Sequence, residues 1–326
     1  MKILSIDIGG TFSRFGDFIV SDGALRNNHE PFKVPTRSEK VVSLEALLGL
    51  FHQDRPAGFL HASQYDLIVL GVAGPVMGRQ CAPPNIGWAI DLNTFTYKDR
   101  TVMINDFVAQ AYGLVHPNVA SQLVKVRDHG KSFPDGNIAV IGPGTGLGHC
   151  CLVGQGNAAS SPFLHVPSEA GHMAFAFHGK TEKALEQYIL RKKGIDFCAN
   201  DDVVSGSGLA LIHEFLTSES IDPLMIDEHG EKFKETMQLF SRLFGRACKN
   251  YCLAVLATQS LIITGGVAIH HPGMVFSTDF YDAFVNSKHR HILTKINIYL
   301  NPGIETGLLG GACFGMSTIM KKDSPR

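Results

Sequence analysis

The sequence predicts an α/β protein of two domains. Three observations carry that expectation. Short apolar runs alternate with segments of helical periodicity. Three of those runs end in glycine-rich turns, at 9–11, 142–148 and 264–266. The length, 326 residues, is about twice that of an ordinary single domain.

Each element follows from its own residues. Residues 3–8 are apolar and β-rich and predict a strand. Gly9, Gly10 and Thr11 turn the chain, and residues 12–20 return as a second strand. Residues 38–54 predict a helix, because Val41, Leu44, Leu47, Leu48 and Phe51 recur at helical spacing. Residues 67–72 form a continuous apolar run with Gly71 and Gly74 at its end, the pattern of a buried strand. Residues 101–104 form another. It ends at Asn105 and Asp106, and either side chain can cap the helix predicted from 107 to 115. Residues 138–141, the turn GPGTGLG and residues 149–153 then repeat the N-terminal pattern of strand, glycine turn and returning strand. Gly10-Thr11 and Gly144-Thr145 therefore read as equivalent positions of a duplicated unit. Further helices are expected at 181–193, 206–216, 231–257 and 308–321, with a strand at 261–263. The alternation restarts near residue 110, which places a domain boundary there.

Composition excludes several classes. A net charge of -1 with 18% charged residues gives no support for a broad nucleic-acid surface. No stretch approaches 18 apolar residues, so no membrane-spanning helix is expected. Asp7 interrupts the apolar N-terminal run and no small-residue cleavage site follows, so no signal peptide is read and a cytoplasmic location is expected. Seven cysteines, an odd number, imply free thiols. Cys248 and Cys252 share a helix face, but two ligands do not make a zinc site. Glycine is the outlier. Its 34 residues cluster between apolar runs, where a missing Cβ lets backbone turn sharply or approach a ligand.

The chemistry gathers at the strand ends. Glycine turns let backbone N–H groups converge on phosphate oxygens, and a threonine hydroxyl adds a donor. The GxxxxGK[ST] and GxGxxG patterns are absent, which argues against a P-loop enzyme and a Rossmann dehydrogenase. Asp7 precedes the first glycines. It either hydrogen-bonds the turn or faces bound phosphate through a cation, for which Mg²⁺ is the usual choice. Asp106 lies where α/β proteins bind ligands, beyond the carboxyl end of a strand. A carboxylate there can act as a general base as well as a cap. Glu169 and His172 flank a glycine and can hydrogen-bond the hydroxyls of a polyol. With His165 they match no zinc spacing.

The ordered set resembles the bacterial glucokinases of the hexokinase, actin and sugar-kinase superfamily. The matching segments are DIGGT at 7–11, Asn85 with Trp88, Asn105-Asp106, GPGTGLG at 142–148, EAGH at 169–172, VSGSG at 204–208, TGGV at 264–267 and GLLGGA at 307–312. The resemblance implies an actin-like ATPase fold of two α/β domains with an interdomain cleft. Residues 1–110 plus 300–326 would form the smaller domain and 111–299 the larger. It implies ATP-dependent phosphorylation of glucose at its 6-hydroxyl, with ATP and Mg²⁺ as the cofactors and Asp7 towards the metal. Asp106 matches the family's general base. Asn105, Glu169 and His172 match residues that hold sugar hydroxyls, and Asn85 a neighbour on the sugar loop. Gly9, Gly10, Thr11, Gly144 and Thr145 match the phosphate loops, and Gly265 and Gly266 the nucleoside side. A homodimer is also implied; that neither nucleic acid nor membrane is a partner is the expectation from composition.

Some positions depart from the family pattern. A glutamate usual before the VSG stretch is replaced by Asp201, which is roughly 1.5 Å shorter in reach. That implies altered affinity or sugar preference. Pro84 and Phe12 stand where threonine and asparagine are common. No cysteine lies between His172 and Cys198, unlike the zinc-carrying branch of related kinases and repressors. A kinase for fructose, mannose or an amino sugar would share every motif. A nucleotide-binding regulator of the same superfamily would have no need of Asp106.

Overall fold

The computed structural model describes residues 1–130, 133, 135–155 and 163–322. They form two compact units. The first comprises residues 1–121 and is rejoined by the chain at residue 304. The second lies between residues 122 and 303.

In the first unit, strands β1 (Lys2–Ile8), β2 (Phe12–Ser21), β3 (Ala24–Asn27) and β4 (Phe32–Pro35) precede helix α1 (Leu44–Asp54). Strand β5 (Leu67–Val72), the short pair β6 (Gln80–Cys81) and β7 (Ile90–Asp91), and β8 (Thr101–Asn105) follow. Helices α2 (Asp106–Leu114) and α3 (Pro117–Ala120) close this first pass. The sheet order is β3-β2-β1-β5-β8, with β4 also on β2. β1 runs antiparallel to β2 and parallel to β5. All six residues of β5 are buried, as its unbroken apolar run requires.

The second unit holds β9 (Val124–Arg127), β10 (Ile138–Pro143), β11 (Leu147–Gly154), β12 (Phe163–Ser168), β13 (Ser260–Ile263) and β14 (Asn297–Leu300). Its helices are α4 (Gly179–Lys193), α5 (Asn200–Val203), α6 (Gly206–Thr217), α7 (Lys234–Ala254), α8 (Gly266–His270), α9 (Gly273–Phe276), α10 (Thr278–Val285) and α11 (Arg290–Leu293). The sheet order is β12-β11-β10-β13-β14-β9. β10 runs antiparallel to β11 and parallel to β13. The central order and strand senses of the first unit are thus repeated around the second glycine turn. The chain then returns to the first unit as α12 (Gly307–Lys322).

Glycine lets α12 pack. A Cβ on Gly310 would sit 1.7 Å from the Ala109 carbonyl oxygen, and one on Gly113 2.3 Å from that of Thr306. Each helical glycine costs roughly 1 kcal/mol of intrinsic propensity, and here it allows α2 and α12 to cross backbone to backbone. The same device recurs in the second unit, where a Cβ on Gly245 of α7 would lie 2.2 Å from the Phe280 carbonyl oxygen of α10.

Three expected boundaries move. The first helix begins at Leu44 rather than 38, because the Ser43 hydroxyl accepts from Ala46 N and caps it there. The helix expected over 231–257 begins as a 3₁₀ turn and is α-helical only from Lys234 to Ala254. It stops short because Leu256 takes a positive φ of 45°. The change of unit falls after residue 121, not 110, since α2 remains packed on α12 and β5. Cys248 and Cys252 are buried in the second core. Burial pushes both thiols well above their usual pKa. No metal-ligating group of three occurs among the described residues.

Candidate active site

In the first unit the turn at 9–11 joins β1 to β2. Asp7 lies near the end of β1, opposite Arg14 of β2 in register. Arg14 Nη1 is 3.7 Å from Asp7 Oδ2 and its Nη2 is 3.1 Å from Glu305 Oε1. Burial raises the pKa of Asp7, Arg14 opposes that rise, and Glu305 adds to it. Arg14 and Glu305 were not singled out in the sequence. Glu305 is remote in the chain, but Arg14 is signalled by its place opposite Asp7 across the hairpin.

Gly10 brings Asn85 to the same turn. A Cβ on Gly10 would stand 3.0 Å from the Asn85 Cβ and 3.2 Å from its carbonyl oxygen. Thr11 is exposed, and its carbonyl accepts from Thr36 N at 2.9 Å.

Asn105 ends β8 and caps α2. Its Oδ1 accepts from Phe107 N at 2.8 Å and Val108 N at 3.3 Å, and its Nδ2 donates to Gly74 O at 3.1 Å. The capping role read from the sequence therefore belongs to Asn105. The second hydrogen on Nδ2 can still donate to a ligand. Asp106 is the first residue of α2, and its Oδ1 accepts from Phe107 N at 2.9 Å. It stands at the carboxyl end of a parallel strand, in the position that suits a ligand-facing group.

The second unit gathers the remaining residues. Glu169 and His172 lie on a 3₁₀ turn directly after β12. His172 stands between two carboxylates, with Nε2 3.7 Å from Glu169 Oε2 and Nδ1 3.3 Å from Asp201 Oδ2. Glu169 and His172 are open to solvent, while Asp201 is half-buried. Burial raises the pKa of Asp201, and His172 is the largest opposing influence. The neighbouring Asp202 is used otherwise. It accepts from Ala199 N at 2.8 Å and pairs with Lys193. Asp201 is thus the one member of the Asp201-Asp202 pair paired with the His172 imidazole.

This set is fixed to the glycine turn at 142–148. A Cβ on Gly171 would lie 2.3 Å from Leu147 O, and one on Gly146 3.5 Å from Asp201 Oδ2. Asn200 clamps the 3₁₀ turn, donating from Nδ2 to Ala170 O and from its backbone N to Met173 O, both at 2.8 Å. Gly144 O accepts from Gly206 N at 2.9 Å, so the start of the 12-residue α6 sits against that turn. The N-terminus of such a helix carries partial positive charge. Thr145 is exposed at the tip. Gly265 has φ 90°, and a Cβ there would be 2.5 Å from Pro143 O. The turn at 264–266 therefore lies directly on the end of β10. In this unit the structure brings together two glycine turns, a helix N-terminus and a carboxylate–imidazole–carboxylate set.

Sheets of matching order, each with a glycine turn near acidic side chains, define the two-domain actin-like sugar-kinase fold. The glucokinase family model matches residues 4–318. The chain belongs to the glucokinase family, a family of hexose kinases that use ATP. A glucokinase from Nostoc punctiforme is 28% identical over 276 residues, covering 74% of this chain and 79% of that protein. Among solved structures, a glucokinase from an Antarctic psychrotroph aligns with a TM-score of 0.77 at 24% identity, over 96% of this chain and 98% of that one. A ROK-family glucokinase from Streptomyces griseus, solved with glucose and AMPPNP, aligns with a TM-score of 0.53 at 18% identity, over 96% and 99%. No helix among the described residues is long and apolar enough to cross a membrane.

Proposed function

We propose that this chain transfers the γ-phosphoryl group of ATP to the 6-hydroxyl of glucose, with Asp106 as general base. The observation that carries the proposal is the Glu169–His172–Asp201 set fixed to the 142–148 turn. It offers acceptors and an imidazole to a polyol beside a turn suited to phosphate. Family membership supplies the reaction class.

In this mechanism Glu169, His172 and Asp201 hold sugar hydroxyls, and Asn105 and Asn85 hold others. Asp106 takes the proton of the attacking hydroxyl as the new O–P bond forms and the bond to ADP breaks. The turns at 9–11 and 142–148 steady the phosphates through N–H groups and the exposed Thr11 and Thr145. Gly265 lets the third turn lie against Pro143, and Gly266, where a Cβ would meet nothing, leaves space for the nucleoside. Asp7 suits a hard divalent cation. Its carboxylate is an oxygen donor whose ionisation burial and Glu305 disfavour, and a bound cation relieves both. Magnesium, when bound with the nucleotide, neutralises charge on the β- and γ-phosphates.

The test is a coupled assay of hexose 6-phosphate formation from MgATP with glucose, mannose, fructose and N-acetylglucosamine. Asp106→Asn keeps the shape and removes the base. It is expected to lose on the order of 10²-fold or more in kcat, and near-normal kcat in that variant removes the role. The same assay decides the second reading. The short Asp201 arm already pairs with His172, and faster turnover of a sugar other than glucose would move the substrate while keeping the mechanism.

A further inference from the structure

The second unit buries an ion pair that none of these roles uses. Glu182 lies in the first turn of α4 and Arg246 within α7. Arg246 Nη2 donates to Glu182 Oε1 at 2.9 Å, and its Nη1 pairs with Oε2. The two side chains are only 7% and 8% exposed. Burial opposes the ionised form of Glu182, but the bonds from Arg246 and from His178 N hold its pKa below the usual carboxylate range.

Such a pair adds little stability by itself. The desolvation of two buried charges offsets their attraction, and apolar side chains of similar volume often serve as well or better. The backbone groups it binds do not require it either, because Ala176 and His178 are exposed and water can satisfy them. What the pair adds is position. Both partners close on one short segment. Arg246 Nη1 donates to Ala176 O at 3.0 Å, and Glu182 Oε2 accepts from His178 N at 2.7 Å. The guanidinium also stands 5.9 Å from the ring of Phe175, which is buried.

That segment begins where the 169–172 turn ends. Residues 173–175 run from His172 to the pair, and the stretch leading to Asp201 holds them from the other side. Phe175 N donates to Cys198 O and Asn200 N to Met173 O, both at 2.8 Å. The chain after His172 and the chain before Asp201 are thus tied together, and the pair anchors them to α4 and α7. Arg246 itself bonds Ala176 and Glu182, not the sugar-binding set.

We propose that Glu182 and Arg246 are positioning residues for sugar binding. They fix residues 173–178 so that the His172 imidazole stays between Glu169 and Asp201. The inference rests on the sugar-binding role proposed above for that set. The fork of the guanidinium carries the effect, since it reaches a carboxylate and a carbonyl together, which a lysine ammonium does less well.

Removing one partner would strand the other charge in the core, so the test uses two milder changes. Arg246→Lys keeps the charge and loses the fork. Glu182→Leu combined with Arg246→Met removes both charges and fills the space. The double variant is expected to unfold at the parent's temperature or above. In the MgATP assay it should raise the KM for glucose about tenfold, with the KM for ATP within about twofold and kcat little changed, the mark of lost substrate binding. Arg246→Lys should lie between the double variant and the parent. Hydrogen exchange reads position without turnover. The Phe175 and Asn200 amides should exchange about tenfold faster in the double variant, while those of β13 keep the parent's protection.

The parent's KM for glucose in the double variant would overturn the proposal, as it would in Arg246→Lys if the double variant does not fold. Equal rises in both KM values would overturn it too, and so would unchanged exchange at Phe175 and Asn200. A parent that phosphorylates no sugar would sink the proposed reaction on its own account. Faster exchange confined to the two tied segments would still support the hold of the pair on His172.

Discussion

The hairpin of β1 and β2 and that of β10 and β11 share one backbone plan and opposite chemistry. Each opens a sheet of the same central order around an exposed threonine. Counting three residues back from Gly10 and Gly144 gives Asp7 in one and Ile141 in the other. Across the ladder Asp7 faces Arg14, while Ile141 faces His149. The first pair is ionic and partly open to solvent. The second is sealed. Ile141 is fully buried, and His149 donates from Nδ1 to Leu147 O and packs edge-on to Tyr251. Apolar runs and glycines are sufficient to repeat the frame. The charges are free to differ because neither pair builds it.

The comparison breaks most visibly if its charges are moved. Ile141→Asp would bury a carboxylate with no partner, and roughly 3–5 kcal/mol of stability should be lost, the usual cost of a stranded buried charge. Urea unfolding measures it. A variant as stable as the parent would mean that the second hairpin tolerates the charge of the first.

His149 gives the next effect, through pH. Burial lowers its pKa from 6.5 to about 4. Between those values the unfolded chain binds more protons than the folded one, so stability rises with pH across the window. The contribution is complete above 6.5 and disappears as the pH falls towards 4. It amounts to roughly 3 kcal/mol at most. His149→Gln should therefore lose less stability between pH 7 and pH 4.5 than the parent. Parallel losses would show that His149 is not held neutral.

The helix crossings test the shared frame. Gly310→Ala in the first unit and Gly245→Ala in the second should each cost about 1–3 kcal/mol by overpacking. Gly310 should suffer more, since its Cβ would come 1.7 Å from a carbonyl oxygen rather than 2.2 Å. Thermal unfolding reads both, and unchanged midpoints would mean that the helices can part at no cost.

Glu169→Ala separates chemistry from frame. Its side chain is 46% exposed, so unfolding should barely change. The KM for the sugar should rise roughly 5- to 150-fold, the range for a lost partner in a polar network. The KM for ATP should stay near its starting value, and equal rises in both would displace Glu169 from the acceptor.

Much of this was legible in the chain. The strand at 67–72 and the runs at 102–104 and 138–141 are apolar, and the glycine turns between paired strands announced themselves. The candidate residues were legible as local motifs, because 7–11, 105–106 and 169–172 are each contiguous. Arg14 required knowing which strand faces β1, and Glu305 required the return of the chain at residue 304. The helix start at Leu44 turned on one serine hydroxyl.

By itself the sequence determined the alternation of strands and helices, the glycine turns and the family, since these depend on neighbours within a few residues. Tertiary structure alone decided that Asp201 meets His172 while Asp202 caps a helix, and that Gly171 lies on Leu147. It also set Arg14 between two carboxylates, Asp7 and Glu305. Those outcomes depend on which distant backbones approach within a few ångströms. Local propensity carries no information about such approaches, because the same short segment can be packed against many partners.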